Sequence, residues 1–486
     1  MGIILKQSLN NTIVTYLGFG IGAVNVMFLY TNFMSDAYYG LINVILSASA
    51  VLMPLLAFGV PNALVKFYSA FEKERSKDGF LTLMLFLPLV LIFPIGLLTY
   101  LANETIGNFL SKENPMVKGY VWYIFLIGMA MAYFEVFYAW ARIRLKSVFG
   151  NFMKEIFCRA GQTLLLLLLY WDVITISFFL KALVGFYLAR TVIMKMYAFR
   201  LRMPKISFDW PQNTTYIIKY SALIILGGST AIVLLEVDKV MLNQFIKIEN
   251  VAYYSVASFM AMAIAVPTRS MHQITYPLTA ELLNKNDLSS LKSLYHKSSL
   301  TLFIISGLLF ILLLLNLEDI YQLLPTSYRD GIVIVFWIGL AKLYDAMMGN
   351  NNAILYNSDY YVSVLLMGVL LAILTVFFNL WLIPKYGLDG AAYASFAAFF
   401  IYNTIKLVFV RWKYNMYPFT LDTFRVLALL LLTVSLFYYL QFPFHPLVNI
   451  AIKSLLMTAL YLGVLFRFKI SEDVIGVLSK FFNRKG

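Results

Sequence analysis

The chain has 486 residues, of which 61% are hydrophobic and only 13% are charged. A soluble domain averages about half apolar and about a quarter charged residues, so this composition excludes an ordinary soluble globular protein. The formal net charge is +14, but the basic residues lie in short stretches between apolar segments rather than on one helix face or in one tail. That pattern argues against a nucleic-acid-binding surface.

Apolar segments of about twenty residues recur along the whole chain, and each is long enough, at about 1.5 Å per residue, to cross a hydrocarbon core about 30 Å thick. Lipid offers no partner for backbone N–H and C=O groups, and the segments are continuous and Leu-rich rather than alternating. The predicted fold class is therefore all-α, a polytopic membrane helical bundle of about 14 transmembrane helices. The predicted spans are 12–33, 39–65, 79–102, 117–140, 156–173, 175–198, 216–241, 251–274, 298–317, 331–349, 362–383, 389–410, 424–441 and 447–466.

The first apolar segment is expected to stay in the mature protein as a span. Lys6 precedes a run from Thr12 to Phe33 that is too long for the core of a signal peptide, and no small-residue cleavage pattern follows it. The single cysteine, Cys158, allows no internal disulfide.

The distribution of Lys and Arg predicts that both termini are cytoplasmic. With that orientation the inner loops and tail hold about 25 basic residues and the outer loops about 5, as the positive-inside rule requires. No loop exceeds about 25 residues, which leaves no room for an extramembrane catalytic domain. Function is therefore expected to reside between the helices.

A weak internal repeat relates two halves of the chain. Tyr38-Tyr39-Gly40 precedes a helix interrupted by Pro54 and Pro61, and Tyr253-Tyr254-Ser255 precedes a helix interrupted by Pro267 and Pro277. The predicted domains are a six-helix lobe at 1–200, a second six-helix lobe at 216–415, two additional helices at 424–466 and a cytoplasmic tail at 467–486.

Spans broken by Gly or Pro at corresponding places in two halves point to a transport site at the interface of the repeats. The broken spans here are the first, second, seventh and eighth. The residues predicted to act as hinges are Gly18, Gly20, Gly22, Pro54, Gly227, Gly228 and Pro267.

Three stretches carry a family resemblance: Glu236-Val-Asp238-Lys239-Val-Met-Leu, Val251-Ala-Tyr-Tyr-Ser255-Val-Ala-Ser and Tyr386-Gly-Leu-Asp-Gly390-Ala-Ala-Tyr-Ala394. With the two pairs of prolines, they resemble the polysaccharide-exporter branch of the multidrug/oligosaccharidyl-lipid/polysaccharide (MOP) superfamily, the O-antigen flippases also called Wzx proteins. In outline the resemblance covers the whole chain.

The resemblance implies export of an undecaprenyl-pyrophosphate-linked oligosaccharide across the bacterial cytoplasmic (inner) membrane by alternating access, for surface polysaccharide such as the O-antigen of lipopolysaccharide. Members usually keep basic residues in a central cavity. The implied partners are the lipid-linked oligosaccharide, membrane lipids and other polysaccharide-assembly proteins, with no nucleic acid and no cofactor.

Arg269 is the sharpest candidate for substrate binding. It lies in the cytoplasmic third of the predicted eighth span, beside Pro267. A charge within a span costs about 2.5–3.5 kcal/mol on insertion scales, so it needs a partner or a water-filled cavity. The guanidinium could bind a pyrophosphate in bidentate fashion, or the side chain could snorkel to the inner interface.

Further substrate-binding candidates lie in other spans. Lys342 and Asp345 share one helix face, either as a structural ion bridge or as a cavity charge whose partner is exchanged. Lys181 and Arg190 fall on opposite faces of the sixth span, and Lys181 is the better intramembrane candidate. Asn25 could bond sugar hydroxyls or another helix, and the same alternatives hold for the asparagine run at 350–352.

Glu236, Asp238 and Lys239 lie near the outer end of the predicted seventh span, as an interfacial cluster or as the rim of an outward cavity. Enzyme and metal motifs are scarce. Gly18-Phe-Gly20-Ile-Gly22 mimics half of a dinucleotide fingerprint but lies within a span, and the three histidines lack metal-ligand spacing. The sequence therefore predicts no catalytic residues and no metal site.

Three alternatives compete with the flippase. A drug or cation antiporter of the same fold would have buried acidic residues, whereas the mid-span charges here are mainly basic. A membrane-embedded polysaccharide polymerase or ligase would need a long outer loop. A structural membrane protein explains neither the repeat nor the buried charges.

The predicted topology can be checked with reporter fusions. Because the orientation follows from the Lys/Arg asymmetry, fusions after Asn108 and Glu318 should report an outside location, and fusions after Arg144 and Asn286 an inside location. Alkaline phosphatase and a cytoplasmic fluorescent protein give complementary signals. Opposite signals at two or more positions would contradict the arrangement of fourteen spans.

Overall fold

A computed structural model describes residues 2–71, 74–228, 230–358, 360–471 and 476. The described residues form helices joined mostly by short turns, with one longer extended connection at 203–211 and no strand among them, so the predicted all-α class is confirmed. The helices of the first half are α1 (Gly2–Val24), α2 (Tyr30–Phe33), α3 (Asp36–Leu56), α4 (Val60–Phe67), α5 (Glu74–Phe86), α6 (Leu89–Leu101), α7 (Asn103–Leu110), α8 (Val121–Arg142), α9 (Val148–Phe152), α10 (Cys158–Tyr170), α11 (Ile176–Leu201), α12 (Thr214–Gly228), α13 (Thr230–Phe245) and α14 (Glu249–Met262).

The second half continues the same pattern with longer helices. These are α15 (Val266–Asn284), α16 (Leu288–Leu315), α17 (Leu317–Gln322), α18 (Ile332–Met347), α19 (Asn351–Tyr356), α20 (Tyr361–Tyr386), α21 (Leu388–Tyr414), α22 (Leu421–Phe437) and α23 (Pro446–Arg467). Two π-helical turns, Asn25–Leu29 and Met153–Phe157, and four 3₁₀ turns, Tyr68–Ala70, Pro115–Tyr120, Ala263–Ala265 and Thr326–Gly331, complete the described helical elements.

Ten segments of the described chain are long and apolar enough to cross a membrane, which makes this a multi-pass membrane protein. They are Asn10–Phe33, Asp36–Leu56, Glu74–Leu101, Pro115–Arg142, Ile176–Leu201, Glu249–His272, Leu288–Leu315, Val362–Tyr386, Leu388–Tyr414 and Pro446–Arg467. Helices also occupy the four other predicted spans, but α18 and α22 are short, and three charged residues precede or enter α10. The predicted span 216–241 contains position 229, which lies outside the described residues. The count of fourteen stays a prediction.

The chain separates into two compact units, residues 1–255 with 372–388, and residues 256–371 with 389–486. The first unit contains a core of buried apolar residues from α4, α5, α8 and α11, which includes the fully buried Trp140. The second contains a core in which α16 packs against α18 and α22, with Phe303 and Leu430 among its buried residues. The predicted lobes at 1–200 and 216–415, with the two additional helices at 424–466, stay a proposal.

The helix that follows Tyr39 is broken where the prolines predict. Pro54 lies in the last turn of α3, and the chain then passes through Phe58 and Gly59, whose φ angles are +50° and +65°. A Cβ atom on Gly59 would lie 2.2 Å from the carbonyl oxygen of Ser221. Only glycine satisfies both the left-handed backbone and this close approach.

The helix that follows Tyr254 is also broken. A 3₁₀ turn at Ala263–Ala265 interrupts it, and α15 begins at Val266 with Pro267 in its first turn, where a missing N–H costs nothing. Pro277 lies inside α15.

The glycines of the first span do not interrupt it. Gly18, Gly20 and Gly22 lie within α1, and the irregular turn comes one residue after that helix, at Asn25–Leu29. Gly18 permits close packing, because a Cβ there would lie 2.7 Å from the Glu155 carbonyl oxygen, whereas a Cβ on Gly20 would meet nothing within 4 Å.

Two sets of residues named in the predictions lie partly outside the described part of the chain. Gly227 and Gly228 form the last turn of α12, and the surroundings of these two residues lie outside the described part. Of the predicted tail at 467–486, positions 472–475 and 477–486 lie outside the described residues as well. The hinge roles stay predictions.

Gly59→Ala tests the break between α3 and α4. The substitution combines a left-handed backbone with a contact at the Ser221 carbonyl, so it should destabilise the protein by roughly 1–3 kcal/mol. Thermal unfolding in detergent, followed by size-exclusion chromatography, measures the effect.

Gly20→Ala is the matched control, because its Cβ points into open space on a regular helix. It should leave stability unchanged or raise it by up to about 1 kcal/mol. Equal melting temperatures for the two variants would contradict the assigned role of Gly59.

Candidate functional site

A buried arginine lies on α11 of the first unit. The side chain of Arg190 is 6% exposed, and its guanidinium carbon lies 4.1 Å from the ring centroid of Phe134 and 4.9 Å from that of Tyr187. The faces of aromatic rings attract cations, and the attraction strengthens when water is excluded. The Arg190 Nε atom has no hydrogen-bond partner among the described residues.

The carboxylates near Arg190 are bonded to other cations. Lys154 Nζ lies 2.6 Å from Glu135 Oε1, and Arg159 Nη1 lies 2.8 Å from Glu155 Oε2. Arg190 and Arg142 interact with Glu135 only at longer range. This part of the first unit therefore holds more positive than negative charge, and Arg190 contacts aromatic rings and Cys158 rather than a carboxylate.

Asn25 opens the first π-helical turn and connects it to α10. Its Nδ2 donates to the Arg159 carbonyl oxygen at 2.8 Å, and its Oδ1 accepts from Thr163 Oγ1 at 2.7 Å. Of the two interpretations that the sequence left open, the structure shows helix-to-helix bonding. Asn25 and Thr163 also border a groove with a volume near 660 Å³, whose other lining residues belong to α1.

The acidic cluster on α13 is built into the first unit rather than left in solvent. Glu236 Oε2 accepts from Ser47 Oγ at 2.6 Å and from Lys239 Nζ at 2.9 Å. Asp238 is 2% exposed and accepts from the Tyr254 hydroxyl at 2.5 Å and from Asn379 Nδ2 at 2.7 Å. The role of this cluster as a cavity rim stays a prediction.

Lys406, on α21 of the second unit, is fully buried. Its Nζ donates to Asn352 Oδ1 at 2.9 Å, lies 3.9 Å from Asp345 Oδ1 and lies 4.2 Å from the ring centroid of Tyr402. The sequence did not single out this residue, although its position inside the predicted span 389–410 is an intramembrane charge that could have revealed it.

Lys342 and Asp345 both face α21 from α18. Lys342 is 7% exposed, and its Nζ lies 4.2 Å from the ring centroid of Phe399, seven residues before Lys406 and on the same helix face. Asp345 reaches Lys406 on that face. The structure therefore brings the predicted pair together with a third charge on a neighbouring helix.

The asparagine run after α18 connects four helices of the second unit. It follows Gly349, whose φ is +53° and whose carbonyl oxygen lies 3.3 Å from His272 Nε2 on α15. Asn350 bonds Thr279 on α15, Asn351 Nδ2 donates to the Tyr295 hydroxyl of α16 at 2.8 Å, and Asn352 accepts from Lys406. These side chains fix α18 and α19 in place, so their observed partners are helices.

Arg269 and Lys181 differ from the buried charges. Arg269 lies in the first turn of α15, two residues after Pro267, with an exposed side chain. Lys181 is exposed on α11, on the side opposite the buried Arg190. Neither forms an ion pair with any residue in the described ranges, so the structure leaves both charges free to meet a ligand.

The sequence of the chain matches a known protein family. A family model described as "Polysaccharide biosynthesis protein" matches residues 4–283. No curated protein matches the chain. Among solved structures, the lipid II flippase MurJ in its inward closed conformation is 14% identical, with a TM-score of 0.71 over 95% of this chain and 99% of that chain.

Two further solved structures share the fold. An inward-facing multidrug resistance MATE family transporter of the MOP superfamily is 15% identical, with a TM-score of 0.59 over 83% of this chain and 94% of that one. A MOP superfamily transporter from Pyrococcus furiosus, described as having a binding pocket of reverse polarity, is 15% identical, with a TM-score of 0.57 over 85% and 95% of the two chains. At these identities the likeness establishes the fold.

A double-mutant cycle tests the Asp345–Lys406 pair. Asp345→Asn leaves a buried ammonium without its carboxylate, and Lys406→Met leaves the carboxylate without its cation, so each should destabilise the protein by roughly 1–3 kcal/mol. The double variant should be more stable than the sum of the single changes predicts. Thermal unfolding in detergent measures all three.

The exposed pair of Asp422 and Arg425 is the matched control, since its side chains are 36% and 64% exposed. Asp422→Asn should change stability by less than about 1 kcal/mol. Additive effects of Asp345→Asn and Lys406→Met would show that the two charges do not interact.

Proposed function

Since the chain belongs to the polysaccharide biosynthesis protein family, as the match over residues 4–283 shows, we propose that it is a flippase for a lipid-linked oligosaccharide. The substrate is an undecaprenyl-pyrophosphate-linked oligosaccharide destined for surface polysaccharide such as O-antigen. The predicted resemblance to the MOP superfamily is supported by the family match and by the shared fold, and these comparisons also favour a transporter rather than an enzyme.

The observation that carries the proposal is the exposure of Arg269. This side chain has no acidic partner among the described residues, and the residue lies in the first helical turn after the break at Ala263–Ala265. A planar guanidinium matches two oxygens of a phosphate with parallel hydrogen bonds. A broken helix is where a transporter fold binds its substrate. Arg269 therefore suits the pyrophosphate of a lipid-linked sugar.

A buried cation supports an anionic substrate. Arg190 is held by the rings of Phe134 and Tyr187. Aromatic rings stabilise a cation without cancelling its charge, so the positive potential remains available to a negatively charged ligand. In this proposal the two lobes alternate in access around such charges, in the bacterial inner membrane with both termini cytoplasmic.

A drug or cation antiporter is the second candidate. The observation that favours it is Asp238, a carboxylate buried in a span and hydrogen-bonded to Tyr254 and Asn379. A cationic drug or coupling ion would need such a group. If the protein is such an antiporter, Asp238→Asn should abolish drug resistance and Arg269→Ala should leave it intact. If the protein is the flippase, Arg269 should matter more than Asp238.

Arg269 variants test the flippase. In a strain whose surface polysaccharide depends on this protein, Arg269→Ala removes both charge and hydrogen bonds and should abolish export, a loss of tenfold or more for about 1.4 kcal/mol of lost binding. Arg269→Lys keeps the charge but not the planar fork, so partial export is expected. Surface polysaccharide is quantified on gels, with protein level checked by blotting.

Arg425→Ala is the control, because Arg425 is an exposed arginine paired with Asp422. Its export should equal that of the wild type. A snorkelling Arg269 would be fully replaced by Lys. Wild-type export by Arg269→Ala would place the substrate elsewhere, with Lys342 and Lys181 the next residues to test.

A further inference from the structure

The connection between α11 and α12 is an extended segment fixed along one side. Residues 203–211, which we call the strap, have no regular secondary structure. The backbone N–H of Ser207 donates to Thr82 Oγ1 at 3.1 Å, and this hydroxyl lies 3.4 Å from the carbonyl oxygen of Lys205. The strap is therefore attached to α5 by its own backbone.

Ion pairs hold the strap at both sides of these hydrogen bonds. Arg202 lies 2.8 Å from Asp78, and Arg75 forms an ion pair with Asp209. The bond from Arg75 lowers the pKa of the Asp209 carboxyl below its ordinary value, so the pair persists at neutral pH. The Asp209 carbonyl lies so near Gly79 that a Cβ there would be only 2.0 Å away.

The opposite side of the strap is apolar and exposed. Successive side chains of an extended segment point to opposite sides, so Ile206, Phe208 and Trp210 share one side of the strap, and Ser207 and Asp209 share the other. The exposed fractions are 64% for Ile206, 68% for Phe208 and 46% for Trp210. The Phe208 and Trp210 rings meet edge to face at 5.9 Å. Fixed apolar side chains in a row indicate a binding surface.

The position of the strap in the chain shows which environment surrounds it. It begins two residues after the end of a membrane-spanning helix, Ile176–Leu201, and it leads into the apolar helix Thr214–Ile225. Trp140 Nε1 donates to the Arg202 carbonyl oxygen, which places the end of α8 at the same level. Leu145, which follows that end, is 71% exposed. The surface therefore lies where spans leave the membrane.

Basic residues surround the apolar row. Arg200, Lys205 and Lys219 are exposed on the strap or within one or two turns of it. Trp and other aromatic residues favour the headgroup layer of a bilayer, and each Lys or Arg near an anionic lipid surface adds about 1 kcal/mol of attraction. Anionic lipid complements both features of this surface.

We propose that the strap is a lipid-binding surface: Ile206, Phe208 and Trp210 enter the headgroup layer of the bilayer, and Arg200, Lys205 and Lys219 bind anionic headgroups. The strap fastens the connection between the sixth and seventh predicted spans to the membrane surface. This inference does not depend on the substrate proposed above.

Spin labelling tests the proposal, because the chain contains one cysteine, Cys158, and it is buried. In a Cys158→Ala background, labels at Ile206→Cys and Phe208→Cys are reconstituted into nanodiscs of phosphatidylcholine with and without phosphatidylglycerol. Collision with oxygen reports lipid, and collision with a water-soluble nickel chelate reports water. Both labels should favour oxygen severalfold, and more so with phosphatidylglycerol.

Lys112→Cys is the matched control, an exposed residue in a polar loop of the same unit, and it should favour the nickel chelate. Replacing Arg200, Lys205 and Lys219 by Gln should remove the effect of phosphatidylglycerol while the labels stay in lipid. Nickel accessibility at position 208 equal to that at position 112 would overturn the proposal and assign the surface to a protein partner.

A second measurement avoids the cysteine background. Brominated lipids quench the fluorescence of tryptophans that lie within the bilayer. The contribution of Trp210 is the difference between the signals of the wild type and of Trp210→Phe, and brominated lipids should quench this contribution strongly. An unquenched component would also overturn the proposal. Size-exclusion chromatography confirms that each variant is folded.

Discussion

A hydrocarbon solvent offers no hydrogen-bond partner and no counter-ion, so a polar group within a span is costly unless a neighbouring residue or a water-filled cavity stabilises it. The chain meets this constraint with aromatic faces and amides as well as with carboxylates. Arg190 is flanked by two rings, and Lys406 combines a ring, an amide and one carboxylate at 3.9 Å. Rings and amides leave a cation charged, whereas a close carboxylate neutralises it. A transporter for an anion needs cations that are stabilised by rings and amides and so keep their charge.

The same constraint explains which features could be predicted from the sequence. Apolar length identifies a span without knowledge of its neighbours, so the helical class and most span positions followed directly. The breaks near Pro54 and Pro267 followed as well, because proline and its neighbours act through local backbone geometry. The glycine pattern of the first span was less informative, because a glycine that packs, such as Gly18, looks the same in sequence as one that bends a helix.

Partners across helices could not be predicted. Lys406 lies 61 residues beyond Asp345 in the chain, and their contact depends on how α18 and α21 pack. Asn352 likewise faces Lys406 only because Gly349 turns the chain with a positive φ. Exposure of Arg269 and burial of Arg190 are further results of packing. Sequence therefore identified candidate charges, and the structure decided which of them are already engaged by neighbouring helices.

The π-helical turn at Asn25–Leu29 has a consequence for the way this chain can change in length. Such a turn contains one residue more than the α-helical turn it replaces. Deleting one residue there would restore the α-helix and leave the parts before and after the turn facing nearly as they do now, because the bulge accommodates the additional residue locally. Tyr30, which stacks on Tyr39 with ring centroids 4.6 Å apart, would keep its partner. The turn is therefore the place at which a natural relative can be one residue shorter without losing the packing of the residues that follow.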